Sequence, residues 1–442
     1  MSKLKELIDR LCPDGVPFKP LGEVASYIRG VTYNKHQESK TPETPSWNIL
    51  RANNITLFSN TLNFNDVKRV RQEVQIKDSQ WLKANDILIC AGSGSKEHIG
   101  KVAFITENIP YSFGGFMAVI RSSTQINSRF LFFILCSNQF SEYLSTALNS
   151  TTINNLNSSI MLSFVIPIPP IEVQEEIVRI LDTFSAQAAE LQAELQARKE
   201  QYEYYRNLLL TFNPSACGCG TDGEQEIKVT NTPPGSYQIT WKTMGEIGKF
   251  FGGLTGKSKA DFSNGNARFI SYMNVYSNIA LNQSANEFVR ILPNEKQNVL
   301  RYGDALFTGS SETPDECGMS SVVTAEPKEP LYLNSFSFGF RLDDNSIYHP
   351  DFLKHLLRSS AIRAQIAKTA NGVTRFNVSK ALFAKVILPI PPIELQVKIA
   401  NILDRFETLV NDLTQGLPAE IAAVKEQYEY YRNKLLTFKK AS

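Results

Sequence analysis

The sequence QYEYYRNLLLTF occupies residues 201–212, and it returns near the end of the chain as QYEYYRNKLLTF at residues 427–438. Lys434 in place of Leu208 is the single difference between the two copies. A repeat present in two copies is typical of an intramolecular pseudo-dimer, whereas a solenoid needs more copies. The chain is therefore predicted to consist of two related halves.

A second motif, PIPPIE, precedes each copy, at residues 167–172 and again at residues 389–394. The interval from PIPPIE to QYEYYRN is four residues longer in the second half. Between these anchors the halves differ widely. Each half is thus interpreted as a variable globular unit followed by a nearly constant segment.

Apolar residues in both constant segments recur with alternating steps of four and three, from Ile177 to Phe212 and from Ile399 to Phe438. This heptad pattern predicts long helices that pack along a seam, with Arg198 as its one polar member in the first copy. The extra four residues create a stutter at Leu417, where Gly416 and Pro418 predict a kink or restart.

Two seams in one chain can bury each other. If the helices are antiparallel, the globular units lie at opposite ends of the pair; the alternative is that each helix belongs to its own domain core. We therefore expect an α+β fold with two globular domains, a long two-helix coiled coil and a pseudo-two-fold repeat. The expected segments are a first domain at 1–170, a central helix at 171–212, a linker at 213–236, a second domain at 237–388 and a distal helix at 389–442.

Within both globular domains, short β-prone stretches, such as FMAVI at 116–120 and FSFGF at 336–340, alternate with runs of Gly, Asn and Ser. Helices are predicted at 128–148 and 350–368. The whole chain has 442 residues, 42% hydrophobic and 20% charged, with a net charge of +2. So small a net charge predicts that any nucleic acid binds to local basic surface.

The sequence has no apolar run of membrane-spanning length and its first residues do not form a secretory signal, so we expect a cytoplasmic protein that contacts no membrane. Its six cysteines do not suggest a disulfide framework. Cys217 and Cys219 form the one cluster, and a flexible linker with reduced thiols is the favoured interpretation. No metal site is expected.

Polar, glycine-containing loops occur at matching places in both halves and are the predicted DNA-binding surface. Glycine allows close backbone approach to phosphate, hydroxyls and cations bind phosphate, and Asn and Arg pair with adenine and guanine. For any single residue, an ordinary polar surface loop is the alternative. The candidates are Arg29, Thr32, Tyr33, Asn34, Lys35, Ser93, Lys96, Thr152, Asn154, Asn155, Thr255, Lys257, Lys259, Ser310, Thr374, Arg375 and Asn377.

The tyrosine-rich ends of the two helices are predicted to serve as seam and protein-contact surface. The candidates for contact with partners are Tyr202, Tyr204, Tyr205, Arg206, Tyr428, Tyr430, Tyr431 and Arg432.

Motifs expected of an enzyme are missing. The stretch around Gly100 lacks the spacing of a phosphate loop, and residues 108–111 lack the second proline of an adenine-methylase motif. The four histidines have no metal-ligand spacing. No catalytic constellation is therefore predicted.

Two variable units, each followed by PIPPIE and a helix ending in QYEYYRN, resemble the DNA-specificity subunit of type I restriction-modification enzymes over nearly the whole chain. The stretches AELQAEL at 189–195 and LTQGLPAEI at 413–421 resemble the type IC group. The linker at 213–236, with its two cysteines, is a departure from the family pattern.

The resemblance implies a non-catalytic subunit with two target-recognition domains, each reading one half of a bipartite site in double-stranded DNA. It also implies two modification subunits, which methylate adenine with S-adenosylmethionine, and two restriction subunits, which use ATP and magnesium. No cofactor is expected in this chain. The alternatives are a coiled-coil adaptor that does not read DNA and a self-contained DNA methyltransferase.

Overall fold

The computed structural model describes residues 2–39, 41, 44–56, 60–93, 98–149, 155–212, 224–227, 237–284, 286–412 and 416–441. They form two compact units. Unit 1 comprises residues 1–192 together with 420–442, and unit 2 comprises residues 193–419. The unit boundaries therefore fall within the long helices, and the C-terminal segment joins the first half of the chain.

Unit 1 is an α+β structure. Its described strands are β1 (Phe18–Pro20), β2 (Ala25–Arg29), β3 (Ser46–Leu50), β4 (Lys68–Arg71), β5 (Ile87–Cys90), β6 (Val102–Phe104), β7 (Ser112–Phe113), β8 (Met117–Ser122) and β9 (Val165–Pro167). Its described helices begin with α1 (Ser2–Leu11), α2 (Ser128–Leu135), α3 (Asn138–Asn149) and α4 (Ser158–Leu162). The long helix α5 (Ile171–Leu210) starts in unit 1 and continues into unit 2.

Unit 2 repeats this plan. Its described strands are β10 (Glu224–Ile227), β11 (Tyr237–Thr243), β12 (Gly248–Gly252), β13 (Ala267–Ile270), β14 (Phe288–Val289), β15 (Ala305–Thr308), β16 (Ser310–Ser311), β17 (Ser320–Val322), β18 (Leu331–Leu333), β19 (Ser337–Leu342), β20 (Ala370–Asn371), β21 (Phe376–Val378) and β22 (Ile387–Ile390). Its helices are α6 (Met244–Ile247), α7 (Tyr272–Ser277), α8 (Pro350–Leu356), α9 (Ser360–Ala367), α10 (Lys380–Phe383) and α11 (Ile393–Asn411), and α12 (Leu417–Leu435) then lies mostly in unit 1.

The main sheets of the two units have the same strand order. Antiparallel β2-β8-β5-β6 in unit 1 corresponds to β12-β19-β15-β17 in unit 2. A second sheet, β4-β3-β7, corresponds to β14-β13-β18, and in each the central strand has one antiparallel and one parallel neighbour. The predicted internal repeat is thus confirmed at the level of strand pairing.

Strand β5 shows why the main sheet is buried on both faces. Ile87 and Ile89 pack with the apolar side of α2, whereas Leu88 and Cys90 pack with Leu50 near the second sheet. Successive side chains point to opposite faces of a strand, so a strand covered on both sides is apolar throughout. The run ILIC is accordingly buried at all four positions.

A buried ion pair recurs at the same place in both main sheets. Arg121 donates to both carboxylate oxygens of Asp86 at 2.7 Å. Arg341 donates in the same way to Asp304, at 2.8 and 2.6 Å. Both aspartate side chains are 1% exposed. Two-point pairing holds the guanidinium and the carboxylate in one geometry. Because Asp86 and Asp304 directly precede β5 and β15, each pair fixes the position at which its strand begins.

The predicted helices are confirmed, with one refinement in each domain. The segment 128–148 forms α2 and α3, and 350–368 forms α8 and α9, each interrupted near a serine. Ser137 and Ser359 donate their hydroxyls to the carbonyls of the preceding turn at 2.7 Å. In both halves the helix is interrupted at the same place and a second helix begins there. The first backbone nitrogens of that second helix have no partner within it, so a side chain from another helix can accept their hydrogen bonds.

The predicted seam is also confirmed: its described positions are buried or half-buried on both long helices. In unit 1, Phe184 of α5 stacks on Tyr431 of α12 with ring centroids 5.4 Å apart. In unit 2, Tyr205 of α5 stacks on Phe406 of α11, also at 5.4 Å. Helix α11 ends at Asn411 and α12 begins at Leu417, in agreement with the predicted kink or restart. None of the described helices has the length and apolar character needed to cross a membrane.

Candidate nucleic-acid interface

In unit 1, the predicted polar loops meet at one end of the main sheet. The backbone nitrogen of Val31 donates to the Phe113 carbonyl at 2.7 Å, which joins the loop after β2 to the turn before β8. Gly92 donates to the Phe116 carbonyl at 2.9 Å and forms a bridge with Asn155. We call residues 30–35, 91–93, 114–117 and 155–156 loop cluster 1.

Unit 2 forms the equivalent arrangement. Leu254 donates to the Leu333 carbonyl at 2.7 Å, and Gly309 donates to the Phe336 carbonyl at 2.8 Å. Ser310 pairs with Asn377 between β16 and β21. We call residues 253–259, 308–311, 334–337 and 374–377 loop cluster 2. The sequence paired these loops by position, and the structure brings them together in each unit.

Glycine begins the first loop of each cluster because the backbone passes too close to its neighbour for a side chain. A Cβ on Gly30 would collide with the carbonyl of Gly114, and one on Gly253 with the carbonyl of Asn334. These contacts set the position of the exposed threonines that follow, Thr32 and Thr255.

Arg29 and Asn155 link two parts of loop cluster 1. The Arg29 guanidinium donates to Asn155 Oδ1 at 3.3 Å and to the Leu156 carbonyl at 3.2 Å. The Tyr27 hydroxyl donates to the same carbonyl at 2.7 Å, and burial raises the pKa of this hydroxyl. Arg29 is half-buried while Asn155 is exposed, so the arginine supports the loop and leaves the amide accessible.

Other candidates differ in their accessibility. Exposed positions are Asn34, Lys35, Lys259, Thr374 and Asn377. Tyr33 is half-buried, and desolvation raises the pKa of its hydroxyl. Ser93 is half-buried and Ser310 is buried. Lys96, Thr152 and Asn154 lie outside the described residues. Contact of these side chains with DNA stays a prediction.

Lys257 and Arg375 both form hydrogen bonds with neighbouring groups of the protein, but these bonds leave the two side chains with different accessibility. The Lys257 ammonium lies 2.6 Å from Glu295 and 2.6 Å from the Arg290 carbonyl, and its side chain is 7% exposed. A phosphate contact would require this ion pair to break. Arg375 donates to the Ser310 hydroxyl at 3.2 Å but remains exposed. Arg375 is therefore the more accessible cation of the two.

Sequence reasoning missed two phenylalanines at the centre of these loops. Phe116 is 74% exposed and Phe336 is 65% exposed, at equivalent places before β8 and β19. The sequence contained one signal, because both phenylalanines occupy corresponding positions of the repeat, but they were interpreted as the first residues of β-prone stretches. Their exposure became visible only with the fold.

The tyrosine-rich helix ends are used largely inside the units. Tyr205 and Tyr431 form the stacks described above, while Arg206 and Arg432 lie over the rings of Tyr202 and Tyr428 at 5.3 Å. In contrast, Tyr204 is 62% exposed and Tyr430 is 58% exposed. Partner contact therefore stays a prediction chiefly for Tyr204 and Tyr430, and the other six candidates contribute to packing of their own unit.

A polar cluster in unit 2 was not anticipated from the histidine spacing. The Tyr202 hydroxyl lies 3.1 Å from His355 Nδ1, and His355 Nε2 lies 2.7 Å from Asp404. His355, Asp404 and Glu407 place their ligand atoms within 4.8 Å of one another. The Lys354 ammonium already lies 2.8 Å from Asp404 and 3.5 Å from Glu407. This cation compensates the carboxylates, so the cluster is explained as an ion-pair network.

The electrostatics of this cluster agree with that interpretation. Burial acts to raise the pKa of Asp404, but hydrogen bonds from His355 and Lys354 hold it below its usual value. Burial acts to lower the pKa of Lys354, while Glu407 and the neighbouring aspartates raise it above its usual value. Desolvation raises the pKa of Tyr202 to about 12, so its hydroxyl stays protonated. The four cysteines in the described residues, Cys12, Cys90, Cys136 and Cys317, are free thiols, and Cys217 and Cys219 lie outside them.

Comparison with known proteins gives a consistent result. The model of the type I restriction modification DNA specificity domain matches residues 13–201 and again residues 238–423. The Escherichia coli type I restriction enzyme EcoR124I/EcoR124II specificity subunit is 35% identical over 289 residues, covering 62% of this chain. The match spans 63% of that relative's length. The Escherichia coli EcoKI specificity subunit is 26% identical over 433 residues, covering 92% of this chain and 88% of the relative.

Among solved structures, a chain from a study of complex assembly and conformational transition of the type I R-M system has a similar fold. The TM-score is 0.58 at 17% sequence identity, over 96% of this chain and 98% of the other. Two tandem matches to one domain model, on units with the same sheet order, agree with the internal repeat.

Proposed function

This chain belongs to the type I restriction-modification DNA specificity family, and we propose that each of its two units binds one half of a bipartite site in double-stranded DNA. The supporting observation is the pair of loop clusters. The same end of the same sheet carries polar, glycine-initiated loops in both units, although the loop sequences differ. Equivalent frames with different side chains suit two readers of different half-sites.

The side chains in the clusters match this role. Asn155 and Asn377 offer amides that can donate and accept toward an adenine edge, and Arg375 offers two donors toward guanine. Exposed Lys35 and Lys259 suit phosphate contacts, which position a protein on the duplex without reading sequence. Local loops carry this chemistry, which fits a chain whose net charge is only +2.

We assign the catalysis to partner subunits. In this proposal the chain is non-catalytic and cytoplasmic, and it joins two modification subunits and two restriction subunits. S-adenosylmethionine, ATP and magnesium act in those partners. The exposed rings of Tyr204 and Tyr430 are the candidate contacts with them, since aromatic side chains are enriched in protein interfaces.

Methylation-site mapping tests the proposal. The chain is expressed with its modification subunits, and methylated adenines are located by sequencing. Residues 16–166 are then replaced by those of a relative with a different site. We expect one half-site to change while the other half-site and the spacer are kept.

The reciprocal exchange of residues 237–388 is the matched control and should change the other half-site. Loss of both half-sites in each exchange, with the complex still assembled, would contradict the division of recognition between the units.

A further inference from the structure

Phe116 and Phe336 are exposed at equivalent points of the two units. Phe116 stands two residues before Ala118, which pairs with Arg29 of β2, and Phe336 stands two residues before Phe338, which pairs with Gly252 of β12. Their exposed fractions are 74% and 65%. A large apolar ring left in water at one site needs no explanation, but the same exposure at both copies of a diverged repeat points to a shared use.

The backbone under each ring is held firmly. The Phe116 carbonyl accepts hydrogen bonds from Ala91 at 2.8 Å and from Gly92 at 2.9 Å. The Phe336 carbonyl accepts one from Gly309 at 2.8 Å, and its backbone nitrogen donates to Asn334 Oδ1 at 2.9 Å. Each ring therefore projects from a fixed turn, so little ordering is needed when it meets a ligand.

Polar groups lie on the same loops as the rings. Gly115, next to Phe116, lies against the Thr32 hydroxyl, and Gly92 bridges to the exposed Asn155. In loop cluster 2 the backbone of Phe336 is hydrogen-bonded to Gly309 and to the Asn334 amide, and the next residue after Gly309, Ser310, accepts a hydrogen bond from Arg375. A protein-binding site would extend the ring into a contiguous apolar patch, whereas base faces offer apolar π surface bordered by polar edges and phosphates.

We propose that Phe116 and Phe336 place their rings against base faces, one in each half-site. This inference rests on the proposed function and adds a second mode of recognition to it. Polar side chains of the loop clusters contact base edges and phosphates, while the ring enters the stack and favours base steps that open easily. Apolar side chains are known to act as such wedges, and flexible pyrimidine–purine steps resist them least.

The test uses the complete complex with its modification subunits and a duplex containing the mapped site. 2-Aminopurine replaces one base at a time through each half-site, because its fluorescence increases when it is unstacked. The modification subunits are expected to unstack their target adenine, so the wild-type complex should raise this fluorescence at one further position in each half-site. Phe116→Ala should abolish this further signal in one half-site only, and Phe336→Ala in the other only.

Affinity and its salt dependence give a second readout. Each alanine variant should bind about tenfold more weakly, which corresponds to about 1.4 kcal/mol. The slope of affinity against salt should not change, since a neutral ring displaces no counterions. Phe116→Trp and Phe336→Trp should restore both binding and fluorescence, because an aromatic face is retained.

Four outcomes would overturn the inference. One is wild-type affinity and fluorescence in both alanine variants. The second is loss of the signal in both half-sites from one alanine substitution, and the third is no restoration by tryptophan. The fourth is an alanine variant that fails to join the modification subunits, which would make the ring a protein contact. Failure of the wild-type complex to bind the mapped duplex would instead refute the proposed function.

Discussion

The side-chain oxygen Oδ1 of Asn207 accepts hydrogen bonds from the backbone nitrogen of Ser360 at 3.0 Å and from its hydroxyl at 2.9 Å. Asn207 belongs to the first copy of QYEYYRN, and Ser360 begins α9 of the second half. Asn433, in the second copy, accepts from the backbone nitrogen of Asn138 at the start of α3, at 3.1 Å. Each copy of the repeated motif therefore caps a helix that belongs to the other half of the chain.

Replacing Asn207 by alanine should destabilise unit 2. The first nitrogen of α9 would lose its side-chain acceptor, and loss of such a cap costs about 1 kcal/mol. Denaturant unfolding followed by circular dichroism measures the change. Asn207→Asp keeps the acceptor oxygen and should remain close to wild type; an aspartate variant as unstable as the alanine variant would count against capping.

Arg341→Ala should be far more damaging, because it leaves the Asp304 carboxylate buried without its cation. Breaking a buried pair in this way costs about 3 kcal/mol. Lys249→Ala is the control, since Lys249 and its partner Asp343 are 85% and 57% exposed and 3.6 Å apart. An exposed pair of this kind contributes less than about 1 kcal/mol. Similar free energies of unfolding for the two variants would refute the distinction.

Glu176 should make unit 1 sensitive to acid. Hydrogen bonds from Arg179 and Lys3 lower the pKa of Glu176 from 4.5 to about 2. Since the folded protein favours the ionised carboxylate, this stabilisation is complete above the unfolded value and is lost as the pH falls from 4.5 toward 2. Glu176→Gln should flatten the dependence of unfolding free energy on pH in this window. Glu175→Gln, at the exposed neighbouring position, should leave it unchanged.

Lys259 and Lys257 lie in one loop and should behave differently in DNA binding. Lys259 is exposed, so Lys259→Ala should lower the slope of log affinity against log salt by about one unit or less. The Lys257 ammonium is neutralised by Glu295, so Lys257→Ala should leave that slope unchanged. Titrations of the complex at several salt concentrations distinguish them. A reduced slope for Lys257→Ala would show that the ion pair opens on DNA.

Arg375→Ala should relax sequence specificity more than it lowers the affinity for DNA in general. The Arg375 guanidinium is exposed in loop cluster 2, and a two-point contact with guanine discriminates by about 1–3 kcal/mol. We expect relaxed specificity at one position of one half-site in methylation mapping. Uniform weakening on all sequences would indicate a phosphate contact.

Helix α5 should influence the distance between half-sites, since it is continuous from Ile171 to Leu210 and both units include part of it. A second copy of AELQ, inserted after residue 196, lengthens a helix by about 6 Å and rotates it by about 40°. One base-pair step is about 3.4 Å. Methylation mapping should therefore find the same half-sites with a spacer longer by about one to two base pairs. Full activity with an unchanged spacer would contradict this role.

Several features followed from the sequence because they depend on local periodicity. The seam from Ile177 to Phe212 is visible in the spacing of apolar residues, and the break at Gly416 follows from glycine and proline chemistry. Loop clusters 1 and 2 were paired by aligning the repeat. Gly30 and Gly253 recur at matching places of the two halves and were expected to allow close approach to phosphate, whereas their close approach to Gly114 and Asn334 came only from the fold.

Other features depended on contacts between residues far apart in the chain. QYEYYRN is identical in both copies, and an equivalent helix begins in each half of the chain, at Asn138 and at Ser360. The motif alone therefore does not say which of these two helices Asn207 caps. The sequence predicted Lys257 as a DNA contact, but in the fold its ammonium is paired with Glu295. The sequence placed Phe116 in a β-prone stretch, but in the fold its ring is exposed. Periodicity determines which face of an element is apolar, whereas only tertiary packing determines which partner covers it and which groups stay exposed.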